Sequence, residues 1–246
     1  MLAIIIPCYN EGNRLKSQSF LTFSAQHPNL HFYFVNDGSK DHTEKVLTQL
    51  CAQNPDHFFQ LSLNQNSGKA EAVRQGMLLA IEKHTYNYLG FLDADLSAPL
   101  AEILPLYDFI RKDEYLLVAG CRIKIVGKNI VRSTLRHYFS RIFATFYSNL
   151  LRLPNYDTQC GLKLFRARLV PEIFNTSFIS PWLFDLEIFL RTRQLTGKEK
   201  YSQHIAELPL NEWKEVGASR LKWSDFIKAP LEVLKIYKHY KKNILS

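Results

Sequence analysis

Short apolar runs alternate with longer mixed segments through the first half of the chain, and the two kinds of segment predict different elements. The apolar runs predict five strands, at 2–7, 30–35, 58–63, 88–92 and 115–119. The mixed segments predict helices at 11–25, 69–83 and 100–111, and one more from the turn 37–41 to residue 50. Strands that alternate with helices at this spacing favour a mostly parallel, doubly wound sheet. We therefore expect an α/β fold.

Acidic side chains stand directly after two of the predicted strands. Asp37 follows the second strand, and Asp93 and Asp95 follow the fourth in the sequence L-D-A-D. Because ligands of such sheets bind beyond the carboxyl ends of the strands, we expect these carboxylates to converge on one crevice. The alternative is that Asp37 serves an Asp-Gly turn, while Asp93 and Asp95 form a helix cap and a solvated turn.

The pair Asp93 and Asp95 indicates a cation site. Side chains two residues apart on an extended chain point the same way, with α-carbons about 6.6 Å apart. Two carboxylates so placed repel each other unless a cation lies between or in front of them. Carboxylate oxygens at the mouth of a nucleotide site suit Mg²⁺ or Mn²⁺, which also take phosphate oxygens and water. We therefore predict Asp93 and Asp95 as metal ligands.

Two further polar segments have competing interpretations. N-S-G-K-A at 66–70 resembles a P-loop, but a Walker A motif needs Ser or Thr where Ala70 stands. Lys69 could still reach a phosphate from the start of its helix, or it could be a solvated lysine. Asp41, with Glu44 three residues later, predicts a helix N-cap with a variant capping box. We therefore assign Asp41 no ligand role.

Charge and cysteine content narrow the class of protein. The 246-residue chain has a net charge of +8, which indicates an anionic partner such as nucleic acid, a phosphorylated ligand or a membrane surface. Its four cysteines stand far apart without C-x-x-C spacing, so we expect reduced thiols in a cytoplasmic protein. A strand from Leu2 leaves no room for a signal peptide, and no apolar run approaches the ~20 residues that span a bilayer. We expect a soluble or peripheral protein.

Five segments resemble, in this order, the motifs of a known enzyme family. They are I-I-P-C-Y-N-E (5–11), V-N-D-G-S-K-D (35–41), N-S-G-K-A (66–70), L-D-A-D (92–95) and D-T-Q-C-G-L-K-L-F (157–165). Together they resemble family-2 glycosyltransferases with the GT-A fold, a Rossmann-like, mostly parallel sheet with helices on both faces. The last segment, with W-L-F-D-L-E (182–187) and E-W-K-E-V-G-A-S-R-L (212–221), is similar to dolichyl-phosphate β-glucosyltransferases and their bacterial polyprenyl-phosphate relatives.

The resemblance implies a set of site residues. Contacts to the nucleotide sugar are implied for Pro7, Tyr9, Glu11, Asp37, Lys69, Asp93 and Ala94, the first four of them around uridine. Asp93 and Asp95 would hold the metal on the diphosphate. The implied catalytic residues are Asp157 beside the acceptor, Arg122 near the phosphates, and Asp95. Asp185 and Glu187 match a late acidic pair of the family, unless they are polar positions of an amphipathic helix.

Two amphipathic segments have features suited to a lipid. Taken as a helix, 131–151 places Arg132 and Arg136 on the face of an apolar stripe formed by Leu135, Phe139, Ile142, Phe143, Phe146 and Leu150. Arginine suits the phosphate head of a polyprenyl phosphate, although a core helix with basic ends would give the same pattern. Near the C-terminus, an apolar stripe among lysines predicts either attachment to a membrane surface or a solubilising tail. That stripe consists of Trp223, Ile227, Leu231 and Leu234.

These features predict one GT-A domain at 1–221, with a nucleotide-sugar half at 1–120 and an acceptor half at 121–221, followed by a basic amphipathic helix at 222–246. The resemblance implies inverting, Mg²⁺- or Mn²⁺-dependent transfer of glucose from UDP-glucose to a polyprenyl phosphate, by an enzyme peripheral to the cytoplasmic face of a membrane. The acceptor phosphate is largely dianionic at neutral pH, so Asp157 is expected to orient it more than to act as a base.

The sequence leaves three alternatives open. One is a family-2 transferase with another donor, such as GDP-mannose or a different UDP-sugar. The second is a non-lipid glycan acceptor. The third is a non-catalytic protein that binds polyanions. Nucleic acid is not an expected partner, because the sequence contains no recognisable nucleic-acid-binding motif.

Overall fold

The computed structural model describes residues 1–131, 147–216 and 223–245. The strands are β1 (Leu2–Cys8), β2 (Leu30–Asp37), β3 (Phe58–Leu63), β4 (Tyr88–Leu92), β5 (Leu117–Cys121), β6 (Asn129–Val131), β7 (Leu162–Arg166), β8 (Ile205–Pro209) and β9 (Glu212–Lys214). Within this part of the chain, seven strands form one sheet in the order β3-β2-β1-β4-β7-β5-β8. Only β7 runs antiparallel to its neighbours there, β4 and β5. Strands β6 and β9 form a separate parallel pair.

Helices connect the strands and cover the sheet. They are α1 (Ser17–Gln26), α2 (Thr43–Gln53), α3 (Lys69–Lys83), α4 (Ile103–Lys112), α5 (described at 147–151), α6 (Val170–Phe174), α7 (Phe184–Thr196), α8 (Tyr201–His204) and α9 (Trp223–Leu245). Alternate side chains of a strand face opposite sides of the sheet. Ile4 and Phe34 accordingly pack in the core that contains α1, α2 and α4, whereas Ile5 and Val35 pack in the core with α3, α6, α7 and α9. The predicted mostly parallel sheet with helices on both faces is confirmed.

The predicted helix at 11–25 is wrong in its first turns. Residues 11–16 form turns instead, in which the Glu11 carbonyl accepts from the backbone N–H groups of Arg14 and Leu15 at 2.9 and 2.8 Å. The Glu11 N–H also donates to Thr43 Oγ1 at 2.7 Å. This bond joins the segment to the start of α2 before α1 begins at Ser17.

The predicted capping box at the second helix is also wrong. The Glu44 carboxylate accepts from Gln60 at 2.8 Å and from Ser62 at 2.7 Å, and it also bonds to Asn36. It therefore ties α2 to the neighbouring strands. Asp41 still supports the start of this helix, because its Oδ1 accepts from the Thr43 N–H at 3.0 Å.

The predicted helix at 131–151 is only partly described. Val131 is the last residue of β6, so it does not belong to the helix. Residues 147–151 are helical, and Leu150 is partly buried against the core. The remaining predicted members of this helix lie outside the described residues, and they include Arg132, Arg136, Leu135, Phe139, Ile142, Phe143 and Phe146.

Helix α9 packs one side along α7. Its buried positions are Ala229, Val233, Ile236, Tyr240 and Ile244. Arg191 Nε of α7 donates to the Tyr240 hydroxyl at 3.0 Å, and Arg193 Nη2 donates to the Ile244 carbonyl at 3.5 Å. On the outer side, Leu231 and Leu234 of the predicted apolar stripe are 61% and 45% exposed. In the described parts of the chain, neither α9 nor any other helix has the length and apolar character to cross a bilayer.

Candidate active site

The loops after β1 and β2 are tied together at the carboxyl edge of the sheet. The Asn10 N–H donates to Ser39 Oγ at 3.0 Å, and Asn10 Oδ1 accepts from the Lys40 N–H at 2.9 Å. Asn10 adopts a positive φ of 50°, a conformation that Asn tolerates better than most residues. Pro7 and Tyr9, which are predicted to line the nucleotide pocket, lie partly exposed beside this junction.

Asp37 holds the loop that leads into α3. Its two carboxylate oxygens accept from the backbone N–H groups of Ser67 and Gly68, at 2.7 and 2.9 Å. Burial raises the pKa of Asp37, although these two hydrogen bonds act in the opposite direction. The carboxylate thus fixes the start of α3, where Lys69 is the first residue. Its predicted contact with the nucleotide stays a prediction.

Lys69 reaches across the sheet edge to the end of β4. Its Nζ lies 2.5 Å from Asp93 Oδ1 and 5.8 Å from the centre of the Phe184 ring. Removal from water lowers the pKa of Lys69, but the nearby carboxylates of Asp93 and Asp185 outweigh this and raise the pKa above its usual value. Lys69 therefore stays positively charged beside the first aspartate of the L-D-A-D segment.

Asp93 and Asp95 are held by a turn. The Asp93 carbonyl accepts from the Leu96 N–H at 3.2 Å, and Asp95 Oδ1 accepts from the Ser97 N–H at 2.9 Å. Both carboxylates keep access to solvent, with side chains 39% and 26% exposed, and Ala94 between them is buried. The acidic pair thus remains accessible to solvent just beyond the end of β4.

Gly161 provides the space that Asp93 occupies. A β-carbon built at Gly161 would lie 2.1 Å from Asp93 Oδ2, far inside van der Waals contact. Any other residue at this position would displace the carboxylate.

Arg14 connects the first loop to the acidic pair. Its Nε lies 3.4 Å from Glu11 Oε2, and its Nη2 lies 3.8 Å from Asp95 Oδ2. Glu11 itself is buried. The sequence pattern placed Arg14 inside a helix and therefore gave no sign of this contact.

Arg122 and Asp157 form a two-point ion pair at the end of β5. Arg122 Nε and Nη2 each donate to an Asp157 carboxylate oxygen at 2.7 Å, and the Arg122 backbone N–H adds a third bond at 3.0 Å. The guanidinium also lies 5.4 Å from the centre of the Trp213 ring of β9. Removal from water lowers the pKa of Arg122, but the adjacent Asp157 carboxylate outweighs this and raises it.

Glu207 orients the segment that carries Asp157. Its two carboxylate oxygens accept from the backbone N–H groups of Tyr156 and Asp157, each at 2.7 Å. Burial raises the pKa of Glu207, and these two hydrogen bonds oppose that rise. No local motif marks Glu207, because it acts on residues fifty positions earlier in the chain.

The late acidic pair is buried, so its interpretation as polar positions of an amphipathic helix is wrong. Asp185 pairs with Lys163, which is fully buried and also donates to the Cys160 carbonyl at 2.7 Å. Glu187 accepts from the Ser180 N–H at 2.9 Å and lies 3.6 Å from Arg191. These buried charges connect α7 to β7 and to the segment that precedes α7.

The acidic pair suits a divalent ion that takes some of its ligands from the protein and the others from a substrate and water. Among the residues that the structure describes, no group of three or more His, Cys, Asp or Glu side chains could hold a metal ion alone. Asp93 and Asp95 supply two hard, solvent-accessible carboxylates. Mg²⁺ is commonly bound by one or two carboxylates together with substrate phosphates and water. The donor set therefore fits Mg²⁺ or Mn²⁺.

All four cysteines are free thiols in the structure, with Cys8, Cys121 and Cys160 buried and Cys51 partly exposed. Their reduced state in the cell stays a prediction. Burial raises the pKa of Cys160, beside Gly161, to about 11, so this thiol stays protonated at neutral pH.

Comparison with known proteins identifies a matching family and several relatives of this chain. A family model described as "Glycosyl transferase family 2" matches residues 3–174. A dolichyl-phosphate beta-glucosyltransferase of Dictyostelium discoideum is 32% identical over 259 residues, covering 97% of this chain and 74% of the relative. The enzyme of the same description from Saccharomyces cerevisiae is 28% identical over 246 residues, covering 89% of this chain and 69% of its own length.

A solved structure with the same fold is glucosyl-3-phosphoglycerate synthase of Mycobacterium tuberculosis, in complex with Mn²⁺, UDP and phosphoglyceric acid. The two folds superpose with a TM-score of 0.67 at 16% sequence identity, covering 98% of this chain and 78% of that one. Another structure of that enzyme, with Mn²⁺, UDP-glucose and phosphoglyceric acid, gives a TM-score of 0.66 at 16% identity, covering 99% of this chain and 79% of that one.

Proposed function

This chain belongs to glycosyl transferase family 2 and is a glycosyltransferase with the GT-A fold. We propose that it moves glucose from UDP-glucose to a polyprenyl phosphate. One observation carries the proposal. The acidic pair with Lys69 lies at the end of β4, and the Arg122–Asp157 pair lies at the end of β5. Because β4 and β5 are both antiparallel to β7, they run the same way and end at the same edge.

The donor side is assigned to the nucleotide-sugar half, residues 1–120. We assign Pro7, Tyr9, Glu11 and Asp37 to the uridine pocket, and Lys69, Asp93 and Ala94 to the diphosphate and sugar. UDP-glucose is chosen as donor because the relatives named above are beta-glucosyltransferases. Lys69 is already charged and aimed at Asp93, so it can contact a diphosphate oxygen without a large movement.

Asp93 and Asp95 would hold Mg²⁺ or Mn²⁺ on the diphosphate. When bound, such an ion supplies Lewis-acid stabilisation of the charge that develops on the leaving UDP. Asp95 is kept in place by the Ser97 N–H and Arg14, and Asp93 by Lys69 and the space above Gly161. These contacts limit the positions that the two carboxylates can take.

The acceptor side is assigned to residues 121–221. Asp157 accepts from the Nε N–H and from one Nη2 N–H of Arg122, so the two N–H groups of Nη1 and the second N–H of Nη2 remain to take an acceptor phosphate. Arg132 and Arg136, outside the described residues, are proposed as further phosphate contacts. Arginine suits this role because its planar group binds phosphate at two points.

The acceptor phosphate itself is the nucleophile in this proposal. Its second pKa is about 6, so it is largely dianionic at neutral pH and needs little help from a base. A phosphate oxygen bonds to the anomeric carbon from the face opposite UDP, the bond from that carbon to the UDP oxygen breaks, and UDP leaves with the electron pair. The configuration at the carbon inverts. Asp157 orients Arg122, which makes this catalysis by positioning.

Peripheral attachment to the cytoplasmic face of a membrane is assigned to the helix at 222–246. Leu231 and Leu234 are exposed on the outer side of α9, next to the exposed Lys235 and Lys238. An apolar stripe flanked by lysines can bind an anionic leaflet, at about 1 kcal/mol per basic residue near the surface. This would bring the enzyme to a lipid acceptor.

A transfer assay tests the proposal. Purified protein is mixed with radiolabelled UDP-glucose, a polyprenyl phosphate and Mn²⁺ or Mg²⁺, with and without a chelator, and the label is followed into the organic phase. We expect transfer that the chelator abolishes. Asp95→Asn should lower the rate by about 100-fold. Asp108→Asn, an exposed carboxylate on α4 paired with Arg111, is the matched control and should leave the rate unchanged.

Three outcomes would contradict parts of the proposal. Transfer to soluble glycans without transfer to lipid would reject the acceptor. Transfer from GDP-mannose in preference to UDP-glucose would reject the donor. Full activity in excess chelator would reject the metal.

A further inference from the structure

The loop between β5 and β6 ends in a tight turn with apolar side chains at its tip. The Ile125 carbonyl accepts from the Lys128 N–H at 3.2 Å, which closes a four-residue β-turn. Gly127 has a φ of +84°, the conformation that a type II turn requires at its third position. The backbone of the tip is therefore a defined turn.

The side chains at this tip are unusual for a turn. Val126 has 103% of its reference surface exposed and Ile125 has 43% exposed. Exposed turns are normally built from Gly, Pro, Asn, Asp and Ser, because these residues satisfy turn geometry and interact with water. Two β-branched apolar residues gain nothing from this position in the folded chain alone.

Basic residues flank the apolar tip. Lys124 is exposed on one side, and Lys128 lies on the other with its Nζ 2.6 Å from Asn211 Oδ1. The base of the loop is fixed as well, since Ile130 is buried and its strand β6 pairs with β9. The loop thus presents a small apolar wedge between two positive charges on a firm support.

We propose that this tip, residues 124–128, inserts into the surface of an anionic lipid bilayer. The inference rests on the proposed function, since it concerns how the enzyme reaches its lipid acceptor. An apolar wedge with lysines at its sides matches the apolar interior and negative headgroups of such a surface. Two exposed side chains are too few for a stable protein interface, which buries about 800 Å² on each partner.

The tip lies close to the residue assigned to the acceptor phosphate. Val126 is four residues after Arg122, so their α-carbons are separated by at most about 14 Å. Arg122 is the residue assigned above to the acceptor phosphate. Insertion at 124–128 would therefore set the acceptor side of the crevice at the level of the lipid headgroups, where a polyprenyl phosphate presents its phosphate.

Vesicle flotation tests the inference with the full chain and without donor or polyprenyl phosphate. Vesicles of phosphatidylserine and phosphatidylcholine are compared with vesicles of phosphatidylcholine alone. Val126→Asp should lower the bound fraction on anionic vesicles by about tenfold. Leu195→Asp, at an exposed leucine near the carboxyl end of α7, is the matched control and should bind like the unaltered protein.

A depth measurement gives a second, independent readout. In Val126→Trp, the new indole should be quenched by brominated lipids when anionic vesicles are added. Equal binding of Val126→Asp and the unaltered protein, or a tryptophan at 126 that brominated lipids do not quench, would overturn the inference.

The assay separates this inference from the proposed function. Val126→Asp should retain full transfer to a short, water-soluble prenyl phosphate, because residue 126 has no assigned contact with donor or acceptor. If the tip does not bind vesicles while transfer persists, only the docking inference fails. If vesicle binding depends on Val126 but no lipid is glucosylated, only the proposed acceptor fails.

Discussion

Gly161 on the approach to β7 faces the Asp93 carboxylate so closely that a β-carbon there would lie 2.1 Å from Oδ2. Gly161→Ala should therefore push Asp93 out of its position without requiring a strained backbone. A misplacement of about 1 Å can lower turnover by roughly 100-fold. We expect that loss in the glucosyl-transfer assay, with a melting temperature close to that of the unaltered protein.

Gly120→Ala is the control for this prediction. A β-carbon at Gly120 would meet Leu210 Cδ2 at 2.8 Å and Cys160 Sγ at 3.0 Å, and it does not face Asp93. This variant should lose stability in thermal unfolding and retain activity per folded molecule. Equal activity losses in the two variants would contradict a specific role for the space at Gly161.

Glu207 is predicted to act as a positioning residue for Asp157. Glu207→Gln replaces one of two carboxylate acceptors with an NH₂ group that faces a backbone N–H, so the segment at 156–157 should shift. We expect turnover with the lipid acceptor to fall roughly tenfold, corresponding to one buried hydrogen bond lost. UDP affinity, measured by calorimetry, should not change. Glu212→Gln, at an exposed position of β9, is the control.

A purely structural role for Glu207 would give a different pattern. In that case, Glu207→Gln would lower the stability of the fold, and it would reduce UDP affinity and turnover with the lipid acceptor together. A selective fall in turnover is therefore the result that supports positioning.

His31 should make the fold less stable in acid. Burial, with smaller contributions from His57 and His84, lowers the pKa of His31 to about 4, and its Nδ1 lies 2.7 Å from the Tyr86 hydroxyl. The unfolded chain binds a proton near pH 6.5 while the folded chain does not until about pH 4. The contribution of this group is therefore complete above pH 6.5 and is lost as the pH falls to 4.

Denaturant unfolding between pH 7.5 and 4 measures this effect. The free energy of unfolding should fall by roughly 3 kcal/mol over that range because of His31 alone. In His31→Gln, which cannot titrate, the pH dependence should be shallower by that amount. Identical pH dependence in both proteins would show that His31 does not remain neutral in the fold.

The two sides of α9 should respond differently to the loss of a large apolar side chain. Ile236 is fully buried in the core with α7, whereas Leu231 is 61% exposed. Ile236→Ala should cost about 2–5 kcal/mol of unfolding free energy, and Leu231→Ala should cost less than about 0.5 kcal/mol. Chemical denaturation of the two variants checks this, and equal losses would contradict the orientation of the helix.

The sequence predicted five of the seven strands of the main sheet, because apolar periodicity depends directly on burial. All five predicted strands correspond to β1–β5, and the strand ends place Asp37, Asp93 and Asp95 at one edge. No strand is predicted at 162–166 or 205–209, so β7 and β8 are missed, and the local pattern also cannot give the direction of β7. L-K-L-F has the same apolar alternation in either direction, and pairing with β4 and β5 decides the outcome.

The candidate site was predictable where its residues follow strands and hidden where contacts join distant segments. Lys163 lies between apolar residues that predict burial. Its charge is compensated in the core by Asp185, twenty-two residues later, and no local pattern predicts that pairing. Glu207 and Trp213 act on Asp157 and Arg122 from strands far along the chain. Arg14 was assigned to a helix because the tie between Glu11 and Thr43 is not encoded locally.

The reversed strand β7 has a consequence for synthesis on the ribosome. β5 leaves the exit tunnel before β7, yet it has no hydrogen-bonded route to β4 until residues 162–166 are available to stand between them. A nascent chain that ends near residue 120 can pair only β3, β2, β1 and β4, and it leaves β4 as a bare edge. We therefore expect that the nucleotide-sugar half does not fold alone, and that a fragment ending near residue 120 is recovered in the insoluble fraction after expression.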